Sequence, residues 1–81
     1  MAKNRPPLRY STGAAVREVR RKRYLNQSDF WSKLGVTQSG GSRYESGRNI
    51  PLPVQQLLQI AYGTEAQAAA LVAWLRGSAG K

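Results

Sequence analysis

The sequence contains no cysteine and no histidine, and only four of its residues are acidic. Without cysteine the chain has no disulfide framework, and without both residue types it lacks the ligands of an ordinary zinc site. The same absences remove the commonest general base and the thiol nucleophile of enzymes. We therefore expect a protein that is not an enzyme and that uses no metal or cofactor.

Long apolar runs are also missing. No stretch approaches the roughly 20 apolar residues that a membrane-spanning helix needs. The N-terminal stretch MAKNRPPLRY lacks the apolar segment of a signal peptide. We expect a soluble bacterial protein of the cytoplasm, where the absence of cysteine is compatible with a reducing environment.

Positive charge is abundant. Thirteen Lys and Arg face four Asp and Glu in a chain of 81 residues, which gives a formal net charge of +9 at pH 7. Such an excess in one small domain indicates an anionic partner, either nucleic acid or an anionic membrane surface. Arginine outnumbers lysine, and its forked guanidinium suits phosphates and guanine edges.

The pattern of caps, apolar spacings and glycines predicts an all-α domain of five helices with short connections. N-terminal caps are predicted for four of the helices and glycine stops for the last four, and Val54, Leu57, Leu58 and Ala61 are expected to point inward from the fourth. The predicted helices are GAAVREVRRKRY after Ser11 or Thr12, QSDFWSKL after Asn26, Gln38 to Glu45 after Thr37, PVQQLLQIAY with Pro53 in its first turn, and EAQAAALVAWLR after Thr64.

We predict three segments: a basic N-terminal arm at 1–10, a DNA-binding domain at 11–77 and a short tail at 78–81. The arm contains Pro6 and Pro7 and has little apolar content. Two interpretations of it stay open: a frayed terminus, or an extended cationic arm that touches phosphates or a minor groove.

The stretch LGVT joins two short predicted helices by a glycine, an apolar residue and a new cap, which is the sharp corner of a helix-turn-helix. The surrounding segment LNQSDFWSKLGVTQSGGSRYESGRNIP resembles the Cro/CI-type (XRE-like, lambda-repressor-like) family of phage, plasmid and bacterial repressors. The resemblance extends from about Ala14 to Tyr62. It implies a compact lambda-repressor-like domain that binds double-stranded DNA.

The resemblance also implies that Gln38 to Glu45 is the recognition helix in the major groove, with base-reading residues Gln38, Ser39, Ser42 and Arg43. Glutamine pairs with adenine, arginine with guanine, and serine with either. The open alternative is that these are ordinary solvated side chains. The predicted phosphate contacts, which position the protein without reading sequence, are Gln27, Lys33, Ser46, Arg48 and Asn49; Tyr44 is either core or a further contact.

Comparison with this family singles out two further pairs of residues, one that matches its pattern and one that departs from it. Arg20 and Glu45 match a structural ion pair that joins the first helix to the recognition helix. Trp31 and Gly41 depart from the family, which has a small residue at the first site and a branched aliphatic at the second; we expect the indole to fill the space that Gly41 leaves. Gly40 either lets the helix backbone approach DNA or, with Gly41, loosens the helix.

The last predicted helix, within 64–76, is apolar nearly all round. We interpret it as a homodimer surface that includes Leu71, Trp74 and Leu75, against the alternative of an internal core helix.

The predicted function is a homodimeric repressor that binds a pseudo-palindromic operator, blocks a promoter and is nucleoid-associated when bound. An antitoxin that regulates its own operon and a nonspecific nucleic-acid or membrane-surface binder are the alternatives.

Overall fold

The computed structural model describes residues 4–77, which form five α-helices: α1 (Gly13–Lys22), α2 (Gln27–Ser32), α3 (Gln38–Glu45), α4 (Leu52–Tyr62) and α5 (Glu65–Leu75). No strand occurs in this part of the chain. The predicted all-α class is confirmed. The predicted tail at 78–81 and the first three residues of the predicted arm lie outside the described residues.

Side-chain caps begin four of the helices, as predicted. Each cap oxygen accepts a hydrogen bond from the backbone N–H three residues later, which satisfies one of the free donors of a helix start. The donor–acceptor distances are 3.2 Å for Thr12, 2.7 Å for Asn26, 3.0 Å for Thr37 and 3.1 Å for Thr64. The fourth helix begins at Leu52, with Pro51 preceding it and Pro53 in the first turn.

The core forms where α1, α2 and α4 meet. The rings of Phe30 and Tyr62 stack with their centroids 4.1 Å apart, and Trp31 approaches Phe30 edge-on at 5.3 Å. The helix α5 packs against α4 and buries Leu71 there. The buried apolar residues of the main cluster are Val16, Phe30, Trp31, Ile50, Leu58 and Tyr62.

The inward face of α4 differs from the prediction. Leu57 is 44% exposed and Ala61 is also exposed, whereas Gln59 and Tyr62 are buried beside Leu58. The hydroxyl of Tyr62 donates to the carbonyl of Phe30 at 2.6 Å. Apolar spacing alone assigns glutamine and tyrosine to the outside, but here their polar groups have partners within the domain.

Gln59 holds the segment before α1 against α4. Its Oε1 accepts from the backbone N–H of Arg9 at 2.8 Å, and its Nε2 donates to the carbonyl of Pro7 at 3.0 Å. The hydroxyl of Tyr10 donates to the carbonyl of Tyr62 at 3.4 Å. The predicted arm is therefore attached to the helical domain from Pro7 onward.

The connection from α1 to α2 contains a non-glycine residue with a left-handed backbone, Tyr24, at φ +56°. The N–H of Tyr24 donates to the carbonyl of Arg21, and that of Leu25 to the carbonyl of Arg20. This is a helix-ending motif that usually has glycine at the left-handed position. A side chain there costs roughly 1–2 kcal/mol, and the side chain of Tyr24 is 95% exposed.

Gly41 leaves the space that Trp31 fills. A Cβ atom at Gly41 would overlap the five-membered ring of the indole, whereas one at Gly40 would lie 3.3 Å from Thr37 Oγ1 and from Val36 Cγ1. The predicted size exchange between Trp31 and Gly41 is confirmed. A role of Gly40 in close approach to DNA stays a prediction.

Gly41→Ala should lower the free energy of unfolding by about 1–3 kcal/mol, since the buried indole must move off its rotamer to admit a methyl group. The matched control is Gly40→Ala, the same change one residue earlier, where a small shift of two side chains suffices and helix propensity favours alanine. Urea unfolding of both variants measures the difference. Equal losses would contradict this account of Gly41.

Candidate nucleic-acid interface

The carboxylate of Glu45 joins three helices. Its side chain is 1% exposed and accepts two hydrogen bonds from Arg20 in α1, from Nε to Oε2 at 2.8 Å and from Nη2 to Oε1 at 2.9 Å. From α2, the indole N–H of Trp31 donates to Oε2 at 2.9 Å and Nε2 of Gln27 donates to Oε1 at 3.2 Å. The last turn of α3 is therefore fixed to both preceding helices.

Main-chain contacts bring α1 still closer to the end of α3. Arg17 Nη2 donates to the carbonyl of Glu45 at 2.9 Å. A Cβ atom at Gly13 would overlap the carbonyl oxygen of Tyr44, so the first turn of α1 touches the backbone of α3 directly. Only a residue without a side chain permits this approach.

The environment of Glu45 favours its charged form. Burial by itself would raise the pKa of the carboxyl, but the hydrogen bonds from Arg20, Trp31 and Gln27, with the charge of Arg20, outweigh it and the net pKa lies below its ordinary value. The hydrogen bond to Glu45 raises the pKa of Arg20 in turn. Both partners are charged at neutral pH, as a buried ion pair requires.

The outer face of α3 carries the predicted base-reading side chains. Gln38, Ser39 and Arg43 are exposed and Ser42 is half-buried, whereas Gly41 and Glu45 face the interior. The outer side of α3 thus carries two long polar side chains, Gln38 and Arg43, and two short hydroxyl side chains, Ser39 and Ser42.

The predicted phosphate-contacting residues occupy the ends of this helix pair. Ser46, Arg48 and Asn49 are exposed just beyond α3, and the N–H of Arg48 donates to the carbonyl of Arg43 at 3.1 Å, which folds the exit loop back toward α3. Lys33 is exposed at the end of α2. Tyr44 instead packs against the core, with its ring 5.6 Å from that of Trp31.

Gln27 has a role that sequence reasoning missed. Its side chain is half-buried, and Nε2 donates to Glu45. A phosphate contact at this position would therefore use the backbone N–H or the second N–H of the side-chain amide. The bonds of Trp31 and Arg17 to Glu45 were missed as well. The sequence offered one indication of the Trp31 bond, because the N–H of a buried indole needs a hydrogen-bond acceptor.

The three residues predicted for a dimer surface have different environments. Leu71 is completely buried within the monomer, where it packs α5 on α4, so it presents no surface. Trp74 is half-buried, and Leu75 is 46% exposed. One side of α5 therefore packs in the core. The sequence of this helix is apolar nearly all round and did not indicate which side that is.

The fold and this geometry define a small helix-turn-helix domain of the DNA-binding regulator class. The family of RsaL-like helix-turn-helix domains matches residues 17–61, which include α2 and α3 entirely and more than half of the chain. The chain belongs to that family. No curated protein and no solved structure gave a significant match to it. Within the helix-turn-helix class, the finer Cro/CI or XRE assignment stays a prediction.

Residues 4–77 contain neither a membrane-spanning helix nor a cluster of metal ligands. None of the five helices has the length and hydropathy needed to cross a membrane. No three acidic, histidine or cysteine side chains in this range come together as metal ligands.

Acid should weaken the domain through Glu45. Because the folded-state pKa is lowered, the stabilisation is present above the ordinary value of 4.5 and is lost as the pH falls below it through the folded-state pKa. Glu45→Gln should cost about 3–5 kcal/mol at neutral pH and remove this part of the acid dependence. Thermal unfolding between neutral and acid pH measures both.

The control is Glu65→Gln, which changes an exposed carboxyl in the first turn of α5. It should leave the acid dependence of the wild-type protein in place. An unchanged pH profile in Glu45→Gln would show that the carboxylate does not carry this dependence.

Proposed function

We propose that this protein is a sequence-specific transcriptional repressor that binds a pseudo-palindromic DNA operator as a homodimer and blocks access to a promoter in the bacterial cytoplasm. The observation that carries the proposal is the exposed polar face of α3, whose inner side is held by the hydrogen bonds of Glu45 with Arg20, Gln27 and Trp31. A rigid helix in the major groove is the reading element of this class of domain.

The base-reading roles follow from side-chain chemistry. Arg43 offers a forked donor pair that fits guanine O6 and N7, and Gln38 offers a donor and an acceptor that fit adenine. Ser39 and Ser42 are short and make the centre of the helix face shallow, which allows a close approach to base edges. Arg43 and Gln38 therefore carry most of the discrimination.

The phosphate contacts surround this face. Arg48 and Asn49 extend from the loop after α3 together with Ser46, and Lys33 lies at the end of α2. Gln27 contributes through its backbone, since its side chain bonds to Glu45. The net charge of +9 strengthens all duplex binding alike, so specificity must come from α3.

The dimer is proposed to form through the outer side of α5. Leu75 in α5 and Leu57 in α4 are each nearly half-exposed, and these two helices pack together. Covering such side chains with a second copy stabilises by about 25 cal/mol for each Å² of apolar surface removed from water. Two-fold symmetry would place the recognition helices about 34 Å apart, on successive major grooves.

Selection of bound duplexes from a random pool tests the proposed function and identifies the operator. Arg43→Ala should lose roughly 1–3 kcal/mol of discrimination at one position of each half-site. Arg48→Ala, an exposed arginine outside α3, is the matched control: it should weaken operator and scrambled duplexes alike and reduce the salt slope by about one for each bound protomer. Wild-type binding that ignores sequence would instead indicate a nonspecific nucleic-acid binder.

Leu75→Glu should shift the protein to monomers and weaken operator binding while leaving helix content unchanged, because the charge would be buried between two copies. The control is Ala14→Glu, which adds the same charge at an exposed position of α1, outside the proposed interface; it should leave the association state unchanged. Sedimentation equilibrium measures the association state. A wild-type monomer, or a Leu75→Glu dimer as tight as the wild type, would refute this interface.

A further inference from the structure

Tyr24 combines two unfavourable features at one exposed position. Its backbone is in the left-handed region at φ +56°, where glycine is the usual residue, and its side chain is 95% exposed. Neither feature contributes to the core of the domain. The fold uses the left-handed turn that ends α1, but it does not need a tyrosine in that turn, which is reason to look for a function of the side chain.

The position of Tyr24 relative to α3 is fixed. The N–H groups of Tyr24 and Leu25 are hydrogen-bonded to the end of α1, and Arg20 Nη1 donates to the carbonyl of Leu25 at 3.0 Å. The same guanidinium binds the carboxylate of Glu45 at the end of α3. One arginine thus links the loop that presents Tyr24 to the proposed recognition helix.

The surroundings of Tyr24 favour an anionic partner. Three cations precede it, Arg21, Lys22 and Arg23, all exposed. Lys22 lies 3.7 Å from Glu18, which offsets its charge, whereas Arg23 donates to the neutral carbonyl of Tyr62 and keeps its full charge. A phenol hydroxyl beside positive charge suits a phosphate oxygen.

We infer that the hydroxyl of Tyr24 donates a hydrogen bond to a phosphate of the duplex whose major groove holds α3. This inference rests on the proposed function. The major groove is about 12 Å wide and sugar-phosphate backbones border it on both sides. Arg20 joins the α1–α2 connection to the end of α3, so a duplex that holds α3 in its groove brings one of these backbones toward Tyr24. Tyr24 positions the protein there without reading bases.

Two variants separate the hydroxyl from the backbone strain. Tyr24→Phe should lose at least about tenfold in affinity for each bound protomer, on operator and scrambled duplexes alike, the expected loss of a hydrogen bond to a charged acceptor. Tyr24→Gly should lose at least as much affinity although its melting temperature rises, because glycine relieves the strain. Fluorescence anisotropy with labelled duplexes and thermal unfolding measure the two effects.

The matched control is Tyr10→Phe, which removes a hydroxyl that bonds within the domain; it should leave duplex affinity unchanged. Full affinity in Tyr24→Phe overturns the inference, as does a loss of self-association in that variant, which would assign Tyr24 to a contact with a second copy. A wild-type protein without sequence preference refutes the proposed function alone, because the Tyr24 comparison on scrambled duplexes is still informative.

Discussion

One buried carboxylate organises this domain. Glu45 ends the proposed recognition helix and draws a bidentate arginine from α1 and two further donors from α2. A carboxylate out of contact with water is tolerated only when its lone pairs are filled, so each of these helices must be in place before Glu45 can be buried. The same requirement that stabilises the domain also sets the angle at which α3 is presented.

The helix that this contact supports is weak by its own composition. The sequence of α3, QSGGSRYE, contains two glycines and no aliphatic residue, so its formation depends on packing rather than on intrinsic propensity. Trp31 supplies that packing from α2 by filling the space over Gly41 and by donating to Glu45. The same packing against α2 therefore both forms α3 and orients its outer face.

Local signals predicted the helices well. Caps at Thr12, Asn26, Thr37 and Thr64 act within a few residues, and the sequence around them carries the information. The Trp31–Gly41 contact was also predictable, since a large and a small residue depart together from a family pattern. The orientation of α4 was not predictable from spacing, because Gln59 and Tyr62 are buried through partners distant in the sequence, and the partners of Gln27 and Arg17 depend on the same tertiary geometry.

The amide of Gln59 makes the start of the chain part of the folded unit. Both halves of this buried group bond to backbone atoms of Pro7 and Arg9, much as an adjacent strand would. If this short stretch were removed or displaced, the amide would lose both of these bonds. The residues from Pro7 to Arg9 thus act as a strap across the domain, and the backbone that carries the exposed Arg9 side chain has a fixed position beside α4.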